Sequence, residues 1–376
     1  MIRGTVTGMK PGTILGHEGV GLVEEVGQDV RNFKRGDRLV IPSTIACGSC
    51  NYCRGGYFSQ CDNANPGGPQ AGTCFYGGPA EMGSFNGLQA ELALIPFANV
   101  GMVRLPDDVD DDEAILLSDI IPTAYFGAKL AEITDGDIVG IFGCGPVGQF
   151  AIMCAKLLGA RRVIAIDKIS SRLEMAQSQG AEVINFDEED PIEMIKKLTQ
   201  TGLDRAIDAV GIDAYAANGE GGSLGQEVKN VAQRAQSWAP GDDEDSQRSS
   251  HTRLLASRGS RAPLAPNQAL EWAVESLAKA GTLAIIGVYP PTFNQFPLGK
   301  AMGKNLSILA GNCNHRGYMD ELIALVANGT IPPEVVLTQQ EPFVSVIDAY
   351  KNFSQHQPGW IKVMLDPSFA ESGGGR

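Results

Sequence analysis

Cys47, Cys50, Cys53 and Cys61 follow one another in the pattern C-x2-C-x2-C-x7-C. Thiolates at this spacing can converge on one tetrahedral zinc ion, and four protein ligands leave no open position. The centre predicted is therefore structural and not catalytic. The connecting stretches, Gly48-Ser49, Asn51-Tyr52 and residues 54–60, are turn-rich with little apolar surface. A metal would stabilise a lobe that has no core of its own. Chance clustering and two disulfides are the competing readings; spacing and context favour zinc. Cys74, Cys144, Cys154 and Cys313 are scattered and read as small, semi-buried residues.

A second motif offers different chemistry. Gly143-Cys144-Gly145-Pro146-Val147-Gly148 is a G-x-G-x-x-G run after the apolar stretch Ile138–Phe142 and before a helical pattern. The first glycine makes the turn, the second lets backbone approach a pyrophosphate, and the third allows close helix–strand packing. Free N–H groups at the helix N-terminus then face the phosphates. Asp167 stands about 20 residues beyond Gly148, where a carboxylate accepts hydrogen bonds from a ribose and repels a 2′-phosphate. NAD is expected over NADP, with Lys168 softening the repulsion. Asp208 and Val210 end another strand pattern and are further candidates for cofactor contact.

These residues need a scaffold, and the chain is long enough for one. Its 376 residues allow two domains with sizeable cores, and 43% are hydrophobic. A net charge of −14 disfavours nucleic acid and anionic membranes as partners. It also argues against the quartet being a nucleic-acid finger, as does Arg54 standing as the only basic residue around it. No apolar run reaches membrane-spanning length and no secretory leader opens the chain. The cysteine usage fits a reducing cytoplasm.

Residues 1–121 are β-rich and turn-rich, with strands expected over 19–27 and 38–42. The acidic run Asp107 to Glu113 reads as a helix N-terminus. From Ile138 onward the rhythm is strand–helix alternation. Strands are expected over 138–142, 162–166, 205–210, 282–288 and 306–309, and helices over 146–158, 170–179, 191–199 and 267–279. This is the α/β pattern of a doubly wound parallel sheet. Residues 212–266 interrupt it as an insertion, expected to cover the adenine end of a cofactor, and the glycine-rich tail reads as frayed.

Quartet, glycine loop and the phrase Gly16-His17-Glu18-Gly19-Val20-Gly21 together resemble the zinc-dependent medium-chain alcohol dehydrogenases. Within them the glutathione-independent formaldehyde dehydrogenase branch is most similar. Residues 41–50, 58–63, Leu117-Ser118-Asp119-Ile120-Ile121-Pro122-Thr123 and Gly311-Asn312-Cys313-Asn314-His315-Arg316 add to the resemblance. It implies a GroES-like catalytic domain with the zinc lobe over 1–121, a Rossmann domain over 122–314, and a return to the catalytic domain over 315–376. It also implies a catalytic zinc bound by His17 and Asp119, with Glu18 nearby, and cofactor-phosphate contacts from Arg316 and Lys362. The reaction implied is hydride transfer from a small alcohol or aldehyde to NAD, in a homo-oligomer of two or four chains. One departure stands out: the branch's Cys-Gly-Ser-Asp-Leu-His stretch, whose cysteine is the first catalytic-zinc ligand, falls just before the position of Met1. The chain is expected to be truncated, its catalytic domain incomplete at the N-terminus and its activity much reduced. The alternative is a non-catalytic protein of the same fold that binds zinc and dinucleotide.

Overall fold

A computed structural model describes residues 8–214 and 267–367, apart from 66, 68–71 and 291–292. Most of the insertion, and with it the expected cover over adenine, lies outside the described residues, as does the tail.

The N-terminal part is built on β1 (Gly19–Leu22) and β2 (Arg38–Ile41), paired antiparallel with Gly19 opposite Ile41. The short helices α1 (Asn51–Arg54) and α2 (Ala98–Gly101) follow, and β3 (Val103–Arg104) completes a three-stranded sheet on the other side of β2. β1 stops short of the expected Gly27 because its partner turns away: Val23 exchanges bonds with Asp37 and Gly36 at 3.0 and 2.9 Å, and the Asp37 N–H then bonds the Lys34 carbonyl at 3.1 Å in a turn. The acidic run opens α3 (Asp111–Leu117) as its charges predict. Asp110 and Glu113 form a reciprocal capping box, and three carboxylates stand at the positive end of the helix. α4 (Ile120–Leu130) comes directly after. Apolar on nearly every face and buried, it lacks the amphipathic stripe that marks a surface helix.

The alternating region contains β4 (Ile138–Phe142), α5 (Pro146–Leu157), β5 (Arg162–Asp167), α6 (Ser170–Ser178), β6 (Glu182–Asn185), α7 (Pro191–Thr199) and β7 (Leu203–Asp208). After the insertion come α8 (Gln268–Ser276), β8 (Leu277–Ile285), α9 (Leu298–Gly303), β9 (Ser307–Ala310) and α10 (His315–Ala327). The strands form one parallel sheet in the order β6-β5-β4-β7-β8-β9. Strand order reverses beside β4, so the crevice at the carboxyl ends of β4, β5 and β7 is where a dinucleotide belongs. The sequence places a helix end at Lys279; α8 instead ends at Ser276. The Lys304 ammonium donates to the carbonyls of Val274, Glu275 and Leu277 at 3.0, 2.8 and 2.7 Å, capping the helix from a distant segment.

The pleat of β4 divides the core. Ile138 and Phe142 face one side with Ile164, Ile166, Ile195 and Trp272, while Val139 and Ile141 face the other with Phe150, Ile152, Val163 and Ile121. Each such buried side chain stabilises by about 1.5–3 kcal/mol. The chain closes with β10 (Gln339–Pro342), α11 (Val346–Ser354) and β11 (Val363–Asp366), the two strands pairing in parallel. Among the described residues no helix is long and apolar enough to cross a membrane.

Candidate active site and metal centres

The quartet forms one compact thiol cluster. Its four Sγ atoms all lie within 4.8 Å of one another, and none of the eight cysteines is in a disulfide. Cys50 caps α1, its Sγ accepting from the Cys53 N–H at 3.5 Å. The Ser49 and Cys50 N–H groups both donate to Cys47 Sγ at 3.3 Å, and the Cys47 and Ala64 N–H groups donate to Cys61 Sγ at 3.3 and 3.4 Å. Burial raises all four thiols. At Cys47 the Ser49 and Cys50 donors outweigh it and bring the thiol down to about 6, and Cys50 is lowered likewise. At Cys53 and Cys61 burial wins and the thiols are raised. Four sulfurs with this proximity and with donors already aimed at them fit a tetrahedral zinc. The lobe is moored to the start of α10: Asn314 Oδ1 accepts from the Ser59 N–H at 3.0 Å and lies 2.9 Å from its hydroxyl.

A second cluster brings together His17, Glu18 and Asp119, whose ligand atoms also lie within 4.8 Å of one another. Asp119 is the N-cap of α4, and Thr123 stands one turn on, over the same face. Asp119 Oδ2 lies 3.2 Å from His17 Nε2. Asp119 Oδ1 accepts from Ser43 Oγ at 3.0 Å, Thr123 Oγ1 at 3.2 Å and His315 Nε2 at 2.7 Å. Burial alone would raise the Asp119 carboxyl, but His17 and His315 hold it well below the usual range. Burial lowers His17, and its bond to Asp119 more than offsets this, leaving the imidazole raised. The His17 ring packs edge-on against Phe75, with centroids 5.8 Å apart.

Two expectations change here. Lys362, expected at a cofactor phosphate, is ion-paired with Glu18, so Glu18 already has a cationic partner. His315 carried no sequence signal beyond its place in the block 311–316, yet it is buried against Asp119. Two of the chain's four histidines thus converge on one carboxylate. Cys313, buried beside Thr123, stands outside the cluster of ligand atoms.

The glycine loop is tightly packed at two of its three glycines. Gly143 has φ +92°, and a Cβ there would meet Val210 Cγ2 at 2.5 Å; a Cβ on Gly148 would meet the Gly143 carbonyl oxygen at 1.9 Å. Pro146 occupies the first turn of α5, where its missing N–H costs nothing, and Val147 follows it. The space beside Gly145 is bounded by Arg172 Nη1 at 3.8 Å, so its backbone is open to a pyrophosphate. Asp167 ends β5 with Oδ1 accepting from the Lys168 and Ile169 N–H groups at 2.7 and 3.0 Å and Oδ2 from the Cys144 N–H at 2.8 Å. This ties the carboxylate to the loop. Arg172, unmarked by any sequence pattern, lies 3.9 Å from Asp167 Oδ2. Asp208 is wholly buried, with Oδ1 holding the Val210 and Gly211 N–H groups at 2.9 and 3.1 Å and Oδ2 accepting from Tyr289 at 2.7 Å. Its carboxylate shapes the turn that carries Val210. Arg316 pairs with Asp320 at 3.7 Å on the outer turn of α10.

Known proteins are similar to this chain. The family described as "Alcohol dehydrogenase GroES-like domain" matches residues 1–107, and "Zinc-binding dehydrogenase" matches 146–219. The uncharacterized zinc-type alcohol dehydrogenase-like protein AdhB of Bacillus subtilis is 33% identical over 371 residues, 98% of this chain and 89% of that one. A glutathione-independent formaldehyde dehydrogenase of Pseudomonas aeruginosa is 38% identical over 229 residues, 59% of this chain and 56% of that one. Among solved structures, the alcohol dehydrogenase TADH from Thermus sp. ATN1 superposes with a TM-score of 0.73 at 30% identity, covering 96% of this chain and 86% of that one. Thiol lobe, glycine loop and near full-length similarity agree: the chain belongs to the zinc-dependent medium-chain alcohol dehydrogenase family.

Proposed function

We propose that the chain is an NAD-dependent oxidoreductase for a short alcohol or hydrated aldehyde, formaldehyde-like in size, and that its turnover is limited by a weak catalytic metal site. The observation that carries this reading is the convergence of His17 Nε2 and Asp119 Oδ2 at the head of α4, the helix that packs along the cofactor helix α5. His17 and Asp119 would hold zinc, which supplies Lewis acidity that lowers the pKa of a substrate hydroxyl. Nicotinamide supplies the hydride acceptor. The chain's own residues do the positioning. The N-terminus of α5 and the backbone of Gly143, Gly145, Pro146, Val147 and Gly148 hold the pyrophosphate. Asp167 accepts from the ribose hydroxyls, with Arg172 beside it.

The weakness follows from the ligand set. Among the described residues no thiolate joins the His17 cluster, and Glu18 is held by Lys362. Two committed ligands hold zinc less tightly than three. NADH formation from formaldehyde hydrate and simple primary alcohols tests this. Slow, zinc-dependent turnover abolished by Asp119→Asn supports the reading; turnover that survives Asp119→Asn sinks it. The Glu18–Lys362 pair also favours a second reading, a non-catalytic zinc- and dinucleotide-binding protein. That reading holds if NADH binds and added zinc yields no turnover.

The domain division at about 121 and 314 is supported by α4 beginning at Ile120 and by the sheet ending at Ala310. Leu298 and Met302, exposed one turn apart on α9, support a homo-oligomer. Eight unpaired thiols support a reducing, cytoplasmic setting.

A further inference from the structure

We infer that His315 is a positioning residue that fixes Asp119 as a one-oxygen ligand, offering Oδ2 to the metal while Oδ1 is locked in the protein. This rests on the reading of His17 and Asp119 as a metal site. Asp119 Oδ1 receives three donors, from His315 Nε2, Ser43 Oγ and Thr123 Oγ1, and the His315 bond is the shortest at 2.7 Å. A carboxylate oxygen has about two lone pairs, so three donors saturate it. Oδ2 is left facing His17 Nε2 at 3.2 Å.

The proton arrangement follows from the partners. An ionised carboxylate only accepts, so His315 carries its hydrogen on Nε2. Nδ1, 3.2 Å from Thr44 Oγ1, is free to accept that hydroxyl's proton. With its Nε2 lone pair committed to a proton, His315 cannot itself ligate through that atom. It acts through Asp119.

The ring is also held still. It is only 3% exposed and lies in the first turn of α10, directly after the Asn314 that Ser59 of the thiol lobe grips. Ser43, the second donor, is tied to the start of α4 by its N–H to the Ser118 carbonyl at 2.9 Å. Three separate segments therefore meet at Oδ1. Partners of this kind orient a ligand and set its basicity, and their loss typically costs about 10–100-fold in metal affinity.

The test compares His315→Leu, which removes the donor at similar volume, with His315→Gln, whose amide N–H can reach the same oxygen. Metal binding is read by chelator competition and by the visible spectrum of Co²⁺ at the second site. The expected result is a second-site dissociation constant raised about 10–100-fold in His315→Leu, with the quartet's ion unaffected, and restored to within about threefold by His315→Gln. A metal-free crystal structure of His315→Leu should also show the Asp119 carboxylate turned away from Ser43. Unchanged affinity and an unmoved carboxylate in His315→Leu overturn the inference. So does a His315→Gln loss as large as that of His315→Leu, because that loss would be one of packing. If the wild-type chain takes no second ion, the metal-site reading fails separately, and the crystallographic position of Asp119 alone decides the role of His315.

Discussion

Gly148→Ala puts the cofactor loop to a quantitative test. The added Cβ would lie 1.9 Å from the Gly143 carbonyl oxygen and 2.8 Å from its carbon. Non-bonded C···O contacts sit at about 3.3 Å or more, so the loop and the first turn of α5 must part by more than about 1 Å. Gly143 has nowhere to retreat. Val210 stands against its other face, and its N–H is bonded to the Ile166 carbonyl at 2.8 Å. Overpacking of this kind costs about 1–3 kcal/mol. The displaced groups are also those that cradle the pyrophosphate, and a misplacement of about 1 Å can cost on the order of 100-fold. We expect NADH, titrated by its fluorescence, to bind about 10–100-fold more weakly and the thermal midpoint to fall by several degrees. Gly299→Ala in α9, where nothing lies within 4 Å of the new Cβ, is the control: NADH affinity should stay unchanged and the thermal midpoint should hold or rise slightly. Wild-type NADH affinity in Gly148→Ala would show that this loop does not hold the dinucleotide.

Four further outcomes follow from the same geometry. Cys53→Ser removes a buried ligand of the thiol cluster; zinc per chain should fall by about one and proteolysis of the lobe should quicken. Asp167→Ala removes the carboxylate that repels a 2′-phosphate beside Lys168 and Arg172, so the ratio of NADP to NAD dissociation constants should drop at least about tenfold. It also frees three N–H groups of the loop, so binding of NAD itself should weaken. Metal binding at His17 should strengthen as pH rises through that residue's raised pKa, losing about tenfold per unit below it, since one proton must leave. In the metal-free chain the two residues pull stability in opposite directions with pH. Asp119 is depressed, so its contribution to stability is present above its ordinary 3.8 and lost as pH falls through the folded value. His17 is raised, so its contribution is present below 6.5 and lost as pH rises through the folded value. Denaturant unfolding in chelator across this range checks both signs.

What the sequence makes legible here is local. The quartet lies within one loop, and the glycine motif joins one strand to one helix, so spacing alone specifies both. The β4, α5, β5 and α7 boundaries follow from periodicity and match within a residue. Features set by distant contacts escape such a reading. The end of α8 is imposed by Lys304, and the burial of Asp208 depends on Tyr289 from beyond the insertion. Glu18 finds Lys362 across nearly the whole chain, and His315 reaches Asp119 only once α10 docks between the thiol lobe and α4. Motif residues thus mark where chemistry sits, while their orienting partners come from packing.

The second metal site is proposed to be weaker than the quartet, and counting zinc after dialysis against a mild chelator tests that directly. We predict one zinc per chain, lost in Cys53→Ser and retained in Asp119→Asn. Two zinc ions per chain that both survive dialysis, one of them lost in Asp119→Asn, would contradict the weak second site.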